Sequence, residues 1–221
     1  MTRELFEKRL REMQDDVLIM GSMVEKAIQR SVDALRTRDR ELSDSVIADD
    51  AAINAKRYEI EEKCIHTIAL QQPMAADLRV LVAILFIATE LERMADHAEG
   101  IGRINLMLGD EQLPPAINDI VEMGRMGGDM LRRSITAFVE RDAPAARAIC
   151  DEDDRIDALY DSSYHALIQQ VIHTPSELQT VTYMIWTSHN LERIADRVTN
   201  ICERVIFMVT GQLEEINVSR Y

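Results

Sequence analysis

Residues 89–101, TELERMADHAEGI, recur as residues 189–201, HNLERIADRVTNI. Aligned without gaps at an offset of 100, six of the thirteen positions are identical: Leu, Glu, Arg, Ala, Asp and Ile. An internal repeat constrains architecture more strongly than any local propensity. This one also places a Glu and an Asp four residues apart, twice, at Glu92/Asp96 and Glu192/Asp196.

The repeat extends upstream. Arg38-Asp39 matches Arg141-Asp142 at an offset of 103, and Asp50, Ile53 and Asn54 fall on Asp153, Ile156 and Asp157. The offset changes between the two blocks, near Pro73 and Pro175, as expected if helices are retained and a connection varies. The chain of 221 residues therefore reads as two related units, 1–110 and 111–221.

The periodicity is helical throughout. Leu10, Met13, Val17, Met20, Val24, Ile28, Val32 and Leu35 step by three and four along one face. The spacing predicts a first helix over 3–36, a turn at 37–40 with Asp39 as N-cap, and a second helix to Gln71. That second helix carries Val46, Ile53, Ile60, Cys64 and Ile68 on one side. Pro73 opens a third, ending near Leu108. After a break at 109–115 the order repeats: a helix over 116–140, a turn at Arg141-Asp142, a helix to His173 and a last one to Val209. Thr174, Pro175 and Glu177 suit the start of that last helix as cap, first position and capping box. Residues 212–221 read as a tail, and there is no strand pattern. Helices of about 30 residues are roughly 45 Å long, and short turns pack them antiparallel. The expected fold is all-α, two tandem pseudo-symmetric three-helix bundles built from six long helices.

Composition limits the function classes. Hydrophobic residues make up 47%, with 8 glycines and 5 prolines, which suits long helices with a real core. The net charge of −14 comes with no basic face, against a nucleic-acid partner. The longest apolar run, 80–89, is about half of what a bilayer needs, so membrane insertion is not expected. The charged start, MTRELFEKRLREM, does not resemble a signal peptide, and a cytoplasmic location is expected. Three cysteines, Cys64, Cys150 and Cys202, lack metal-like or disulfide spacing and read as buried thiols. Trp186 reads as a core anchor, and the methionines of the first helix as packing.

The acidic pairs carry the chemistry. Residues four apart share a helix face, so Glu92 projects with Asp96 and Glu192 with Asp196. The preceding helix of each half offers Asp50 with Asn54, and Asp153 with Asp157. Like charges at this spacing repel, and a bound cation is one compensation. Oxygen-rich sites suit hard ions such as magnesium, calcium or manganese, and paired helices with inward carboxylates hold iron. His97 and His189 lie nearby. The other reading is a solvated face with ordinary ion pairs to Arg93, Arg193 and Arg103. A di-metal oxidase would need Glu-x-x-His motifs, absent from both repeats. A metal-free structural bundle is a third possibility. No glycine-rich phosphate loop, nucleophile elbow or triad is present, and no enzyme mechanism emerges.

These landmarks together resemble the PhoU family of phosphate-signalling regulators: Arg38-Asp39, QQPMAADLR at 71–79, LERMAD at 91–96, then Arg141-Asp142, DRID at 154–157 and LERIAD at 191–196. The resemblance spans about 3–210. It implies a regulator rather than an enzyme, peripheral to the inner membrane face through its partners. Those partners are the ATPase subunit of a phosphate ABC transporter and a membrane sensor histidine kinase, with repression of the starvation response when phosphate is plentiful. A homo-oligomer, a dimer, is the expected assembly. It further implies metal ions, iron or zinc first and manganese or magnesium as alternatives. The ligands by position are Asp50, Asn54, Glu92 and Asp96 in one half and Asp153, Asp157, Glu192 and Asp196 in the other. Asn54 stands where the second half has Asp157, so the first site carries one charge less. Glu90 is matched by Asn190, and the two sites are not expected to be equivalent.

Overall fold

The periodic apolar faces form the rods anticipated for them. The structure, a computed structural model, describes residues 3–109 and 111–216. Its helices are α1 (Arg3–Thr37), α2 (Arg40–Gln71), α3 (Ala76–Met107), α4 (Ile117–Glu140), α5 (Ala143–Cys150), α6 (Asp153–His173) and α7 (Leu178–Thr210). No strand occurs among the described residues. All eight apolar residues named above on α1 are buried, Met13 and Met20 included. On α2 the buried stripe is Val46, Ile53, Ile60 and Cys64, with Ile68 packed against its edge. The three cysteines are buried free thiols.

The duplicated Arg-Asp turns are built alike. Arg38 and Arg141 close α1 and α4 in the left-handed region, at φ 60° and 57°. Asp39 then accepts from the Leu42 amide at 2.9 Å, and Asp142 from the Ala145 amide at 2.9 Å. Each aspartate satisfies a donor that the first helical turn would otherwise leave unpaired. In the first copy Asn105, 1% exposed, reaches down from α3. Its Nδ2 lies 3.1 Å from the Ala34 and Asp39 carbonyls and 2.8 Å from Ser43 Oγ.

Four expectations change. The fifth rod is interrupted: α5 ends at Cys150, Asp151 and Glu152 form a turn, and α6 begins at Asp153. A run of four acids opens this stretch, and the Glu152 carboxylate is taken by Arg133 of α4, 2.7 Å from Arg133 Nη1. Pro73 does not open α3. The chain first turns through Gln72 at φ 45° and Ala75 at φ 49°, and the helix starts at Ala76. Thr174 makes no side-chain cap; residues Pro175–Glu177 form a 3-10 turn before α7, and Glu177 accepts from Gln170 instead. Trp186 is 51% exposed, so it is no core anchor. Of the expected tail, 212–216 carries no regular structure, and 217–221 lies outside the described residues, as does Asp110 in the break at 109–115.

Helices α1, α2 and α3 form one bundle and α4, α5–α6 and α7 the other. The two share an apolar core, because α3 packs on α7 and α1 on α4. Both seams are antiparallel and obey the repeat. A methyl at Gly21 would meet Ile135 at 3.1 Å, and one at Gly124 would meet Val32 at 2.6 Å. Residues 21 and 124, like 32 and 135, are equivalent at the offset of 103. On the other seam Glu90 faces Arg197 and Asn200, while Asn190 faces His97 and Gly100, equivalent at the offset of 100. Residue i meeting j, and j′ meeting i′, is the signature of a two-fold relation.

Candidate functional site

The acidic pairs lie on α2 against α3 and on α6 against α7, two helix pairs that pack together in each bundle. The apolar stripe Leu91, Ala95, Ala98 and Ile101 is buried, and this sets the rotation of α3. Glu92 and Asp96 then emerge beside the stripe, toward α2.

In the first bundle the carboxylates see one another. Burial is the main cause that raises Asp50 above the usual carboxylate range, followed by the charges of Asp96, Glu99 and Glu92. Asp96 is raised by burial and by Glu99. Asn54 donates to Asp50 Oδ2 at 2.7 Å, and the other oxygen, Oδ1, is buried without a hydrogen-bond partner. Glu92 lies 3.4 Å from Arg57, which also pairs with Glu61. His97 is turned elsewhere: its Nδ1 meets Asn190 Oδ1 at 2.9 Å across the seam. Because Asn190 Nδ2 donates to the Trp186 carbonyl, that Oδ1 accepts and His97 Nδ1 carries the proton.

The second bundle repeats the arrangement. Burial and then the charges of Glu192, Asp196, Asp154 and Asp161 push Asp157 up to about 6. Burial and Glu192 raise Asp196. Glu192 is 4% exposed, with Arg193 Nε at 3.4 Å and His189 Nδ1 at 3.7 Å. Arg193 also donates to Asp196 at 3.0 Å. Asp153 is buried at the opening of α6.

Thus Asp50, Glu92 and Asp96 are brought together, as are Asp157, Glu192 and Asp196. Glu99 is a further acid of this face that the repeated Glu-Asp spacing does not mark: it bonds Arg103 and also faces Asp50 and Asp96. Its position three residues after Asp96 was the available signal. Arg57 was missed as the guanidinium partner of Glu92, whereas Arg193 forms the ion pairs expected of it, with Glu192 and Asp196.

The donor set suits a hard cation in kind: several oxygens on adjacent helices, partly desolvated and mutually repelling. As the side chains stand, however, no three His, Cys, Asp or Glu groups converge on a metal-sized point among the described residues. Ion pairing by Arg57 and Arg193 occupies one carboxylate face in each bundle. No described helix is long and apolar enough to cross a membrane.

Comparison with known proteins matches this architecture. The family model described as the PhoU domain covers residues 17–104 and again 120–205. A phosphate-specific transport system accessory protein PhoU homolog from Clostridium acetobutylicum is 36% identical over 218 residues, covering 98% of this chain and 100% of that protein. The crystal structure of the phosphate transport system regulatory protein PhoU from Streptococcus pneumoniae superposes with a TM-score of 0.89 at 31% identity, over 95% of this chain and 99% of the other. That of PhoU from Pseudomonas aeruginosa gives 0.90 at 31% identity, over 94% and 100%.

Proposed function

The chain belongs to the PhoU family, and from that premise we propose that it is an adaptor regulating phosphate uptake and phosphate-starvation signalling. It bridges the ATPase subunit of a phosphate ABC transporter and a membrane sensor histidine kinase, and restrains the starvation response when phosphate is plentiful. The observation that carries the reading is end-to-end similarity, both repeats included, to proteins named accessory to phosphate-specific transport. The absence of a membrane-crossing helix among the described residues is compatible with work at the cytoplasmic face through partners. The role is regulatory rather than catalytic, in keeping with how the relatives are named. Residues 1–110 and 111–221 are its two units, and a homodimer is its working assembly.

The acidic faces are proposed as metal sites: Asp50, Asn54, Glu92 and Asp96 in the first bundle, Asp153, Asp157, Glu192 and Asp196 in the second. What supports this is the gathering of carboxylates on facing helices, where burial first and the neighbouring acidic charges second raise Asp50, Asp96, Asp157 and Asp196 above their ordinary range. Iron or zinc, or else manganese or magnesium, would supply positive charge there and tie α2 to α3 and α6 to α7. Arg57 and Arg193 hold Glu92 and Glu192 in place and compete with the ion for them.

Two experiments test the two parts. Native co-purification with the ATPase subunit and the kinase should retain the protein with both; loss of both at physiological salt would refute the adaptor role. Elemental analysis of untagged protein, beside the Glu92→Ala/Asp96→Ala/Glu192→Ala/Asp196→Ala variant, should show stoichiometric metal only in the parent. Equal metal content, or none after incubation with each ion, would return the carboxylates to a solvated face.

A further inference from the structure

Two of the three thiols lie side by side, and the repeat explains how they meet. Cys150 closes α5, and Cys202 lies on α7, the helix against which α5 packs. In the first repeat the same two places hold Ile47 and Gly102, equivalent at the offsets of 103 and 100. A methyl at Gly102 would sit 3.5 Å from Ile47 Cγ1, so these positions touch across the helix pair. In the second repeat a thiol stands at each. Cys150 Sγ lies 4.0 Å from the carbonyl of Thr199, one turn before Cys202. The two thiols are within hydrogen-bonding reach of each other, and both are buried.

We propose that Cys150 and Cys202 are a redox site, a dithiol that a low-molecular-weight disulfide converts into a covalent link between α5 and α7. One thiolate displaces half of the oxidant R–S–S–R and forms a mixed disulfide, and the second thiol displaces the other half from it. The cysteines are oxidised to one Cys150–Cys202 bond, and the oxidant is reduced to two R–SH, which carry away the two thiol protons.

Access to the pair is set by α5. In the closed fold the hydrogen bond with Cys150, and then burial, keep the Cys202 thiol protonated, and a protonated thiol is a poor nucleophile. Helix α5 has eight residues, ends at a break, and buries only Ala143, Ala146, Ile149 and Cys150. Arg147 ties it to Glu214 through a half-exposed pair. Such an element opens locally more readily than the long rods, and opening brings both sulfurs to solvent. Once formed, the link holds α5 down at its junction with α6. The first repeat, with Ile47 and Gly102, cannot form it, and Cys64 lies in the other bundle against Met13 Sδ at 3.6 Å.

Full-length protein, with chelator and without oxygen, is equilibrated with graded mixtures of reduced and oxidised glutathione, quenched in acid and alkylated for mass spectrometry. Cys150 and Cys202 should escape alkylation together, with no glutathione retained, while Cys64 stays alkylated. A linked Cys150–Cys202 peptide should appear with helical content unchanged, and amide exchange over 143–150 should slow about tenfold or more. Cys64→Ala should behave as the parent, and Cys150→Ser should abolish the step. Three alkylated thiols in every mixture, a link through Cys64, glutathione retained on single cysteines, or a link that forms only when helical content is lost would each overturn the proposal.

Discussion

Glu90 on α3 accepts from Asn200 Nδ2 on α7 at 3.1 Å and from Arg197 Nη1 at 3.4 Å. Asn190, its equivalent in the other repeat, accepts from His97, the equivalent of Arg197. The two halves thus meet through one ionic and one neutral contact at symmetry-related places. Glu90 is 7% exposed. Glu90→Ala should destabilise the protein by about 1–3 kcal/mol, because it strands two donors at the seam. Asn190→Ala should cost about 0.5–1.5 kcal/mol, the range for a single neutral hydrogen bond. Urea unfolding of the two variants checks the order.

Close approach of α1 and α4 depends on glycine. Adding a methyl at Gly124 places it 2.6 Å from Val32 Cγ2, and a stiff β-branched side chain cannot swing clear. Gly124→Ala should therefore cost about 1–3 kcal/mol by overpacking. Gly128→Ala on the same helix meets nothing nearer than Gln29 Nε2 at 4.0 Å, and should be neutral or stabilising by up to about 1 kcal/mol. Thermal unfolding separates the pair.

The acid limb of stability should respond to Glu59. Hydrogen bonds from Lys56 and then Lys63 hold its carboxyl at about 2, below the ordinary 4.5. A depressed carboxylate stabilises the fold above its unfolded pKa, and that contribution is lost as pH falls from 4.5 toward 2. Because the side chain is 46% exposed, solvent keeps the effect below about 1 kcal/mol. Glu59→Gln should lower stability at neutral pH and narrow the difference from the parent at pH 2.

Asp157 should behave with the opposite sign. Its folded pKa of about 6 lies above the reference of 3.8, so its charge opposes folding above pH 6 and has no effect below 3.8. Asp157→Asn should raise the unfolding midpoint of metal-free protein at pH 7.5 and leave it unchanged at pH 3.5. Added zinc or manganese should stabilise the parent more than this variant. A scan with and without chelator reads both.

Trp186 is the one tryptophan of the chain and is 51% exposed, with Tyr183 edge-on at 5.7 Å. Its equivalent Phe86, also exposed, lies under the Arg204 guanidinium at 4.1 Å. Trp186→Ala should change stability by no more than about 0.5 kcal/mol. Emission of the parent should be that of a solvated indole and should shift to the blue if this face meets the transporter ATPase.

Fold and site differed in how legible they were. The α1 stripe from Leu10 to Leu35, the cap at Asp39 and the turn at Arg141-Asp142 are local signals, and they became structure as read. The interruption at Asp151-Glu152 was hidden, because its counterpart in α2 is continuous and the repeat argued for continuity. Trp186 misled because its apolar bulk says nothing of rotation about α7, which Met184, Leu191 and Ala195 decide by turning inward. At the acidic faces the ExxxD spacing located Glu92 and Asp96. Arg57, arriving from another helix, could not be seen from either motif. Pairings across the seams were equally invisible, since they depend on the angle at which one repeat meets the other.

The two-fold relation between the bundles has a bearing on ancestry. A surface that is self-complementary at two antiparallel seams is what a pair of separate, identical single-repeat chains would need. In such a pair of first repeats Glu90 would oppose His97 twice over; in a pair of second repeats Asn190 would oppose Arg197 twice. With the two copies joined in one chain the ionic partners can be divided, Glu90 on one side and Arg197 on the other. One chain thus holds within itself the paired contacts of a two-fold dimer, and its halves can differ where two identical chains could not.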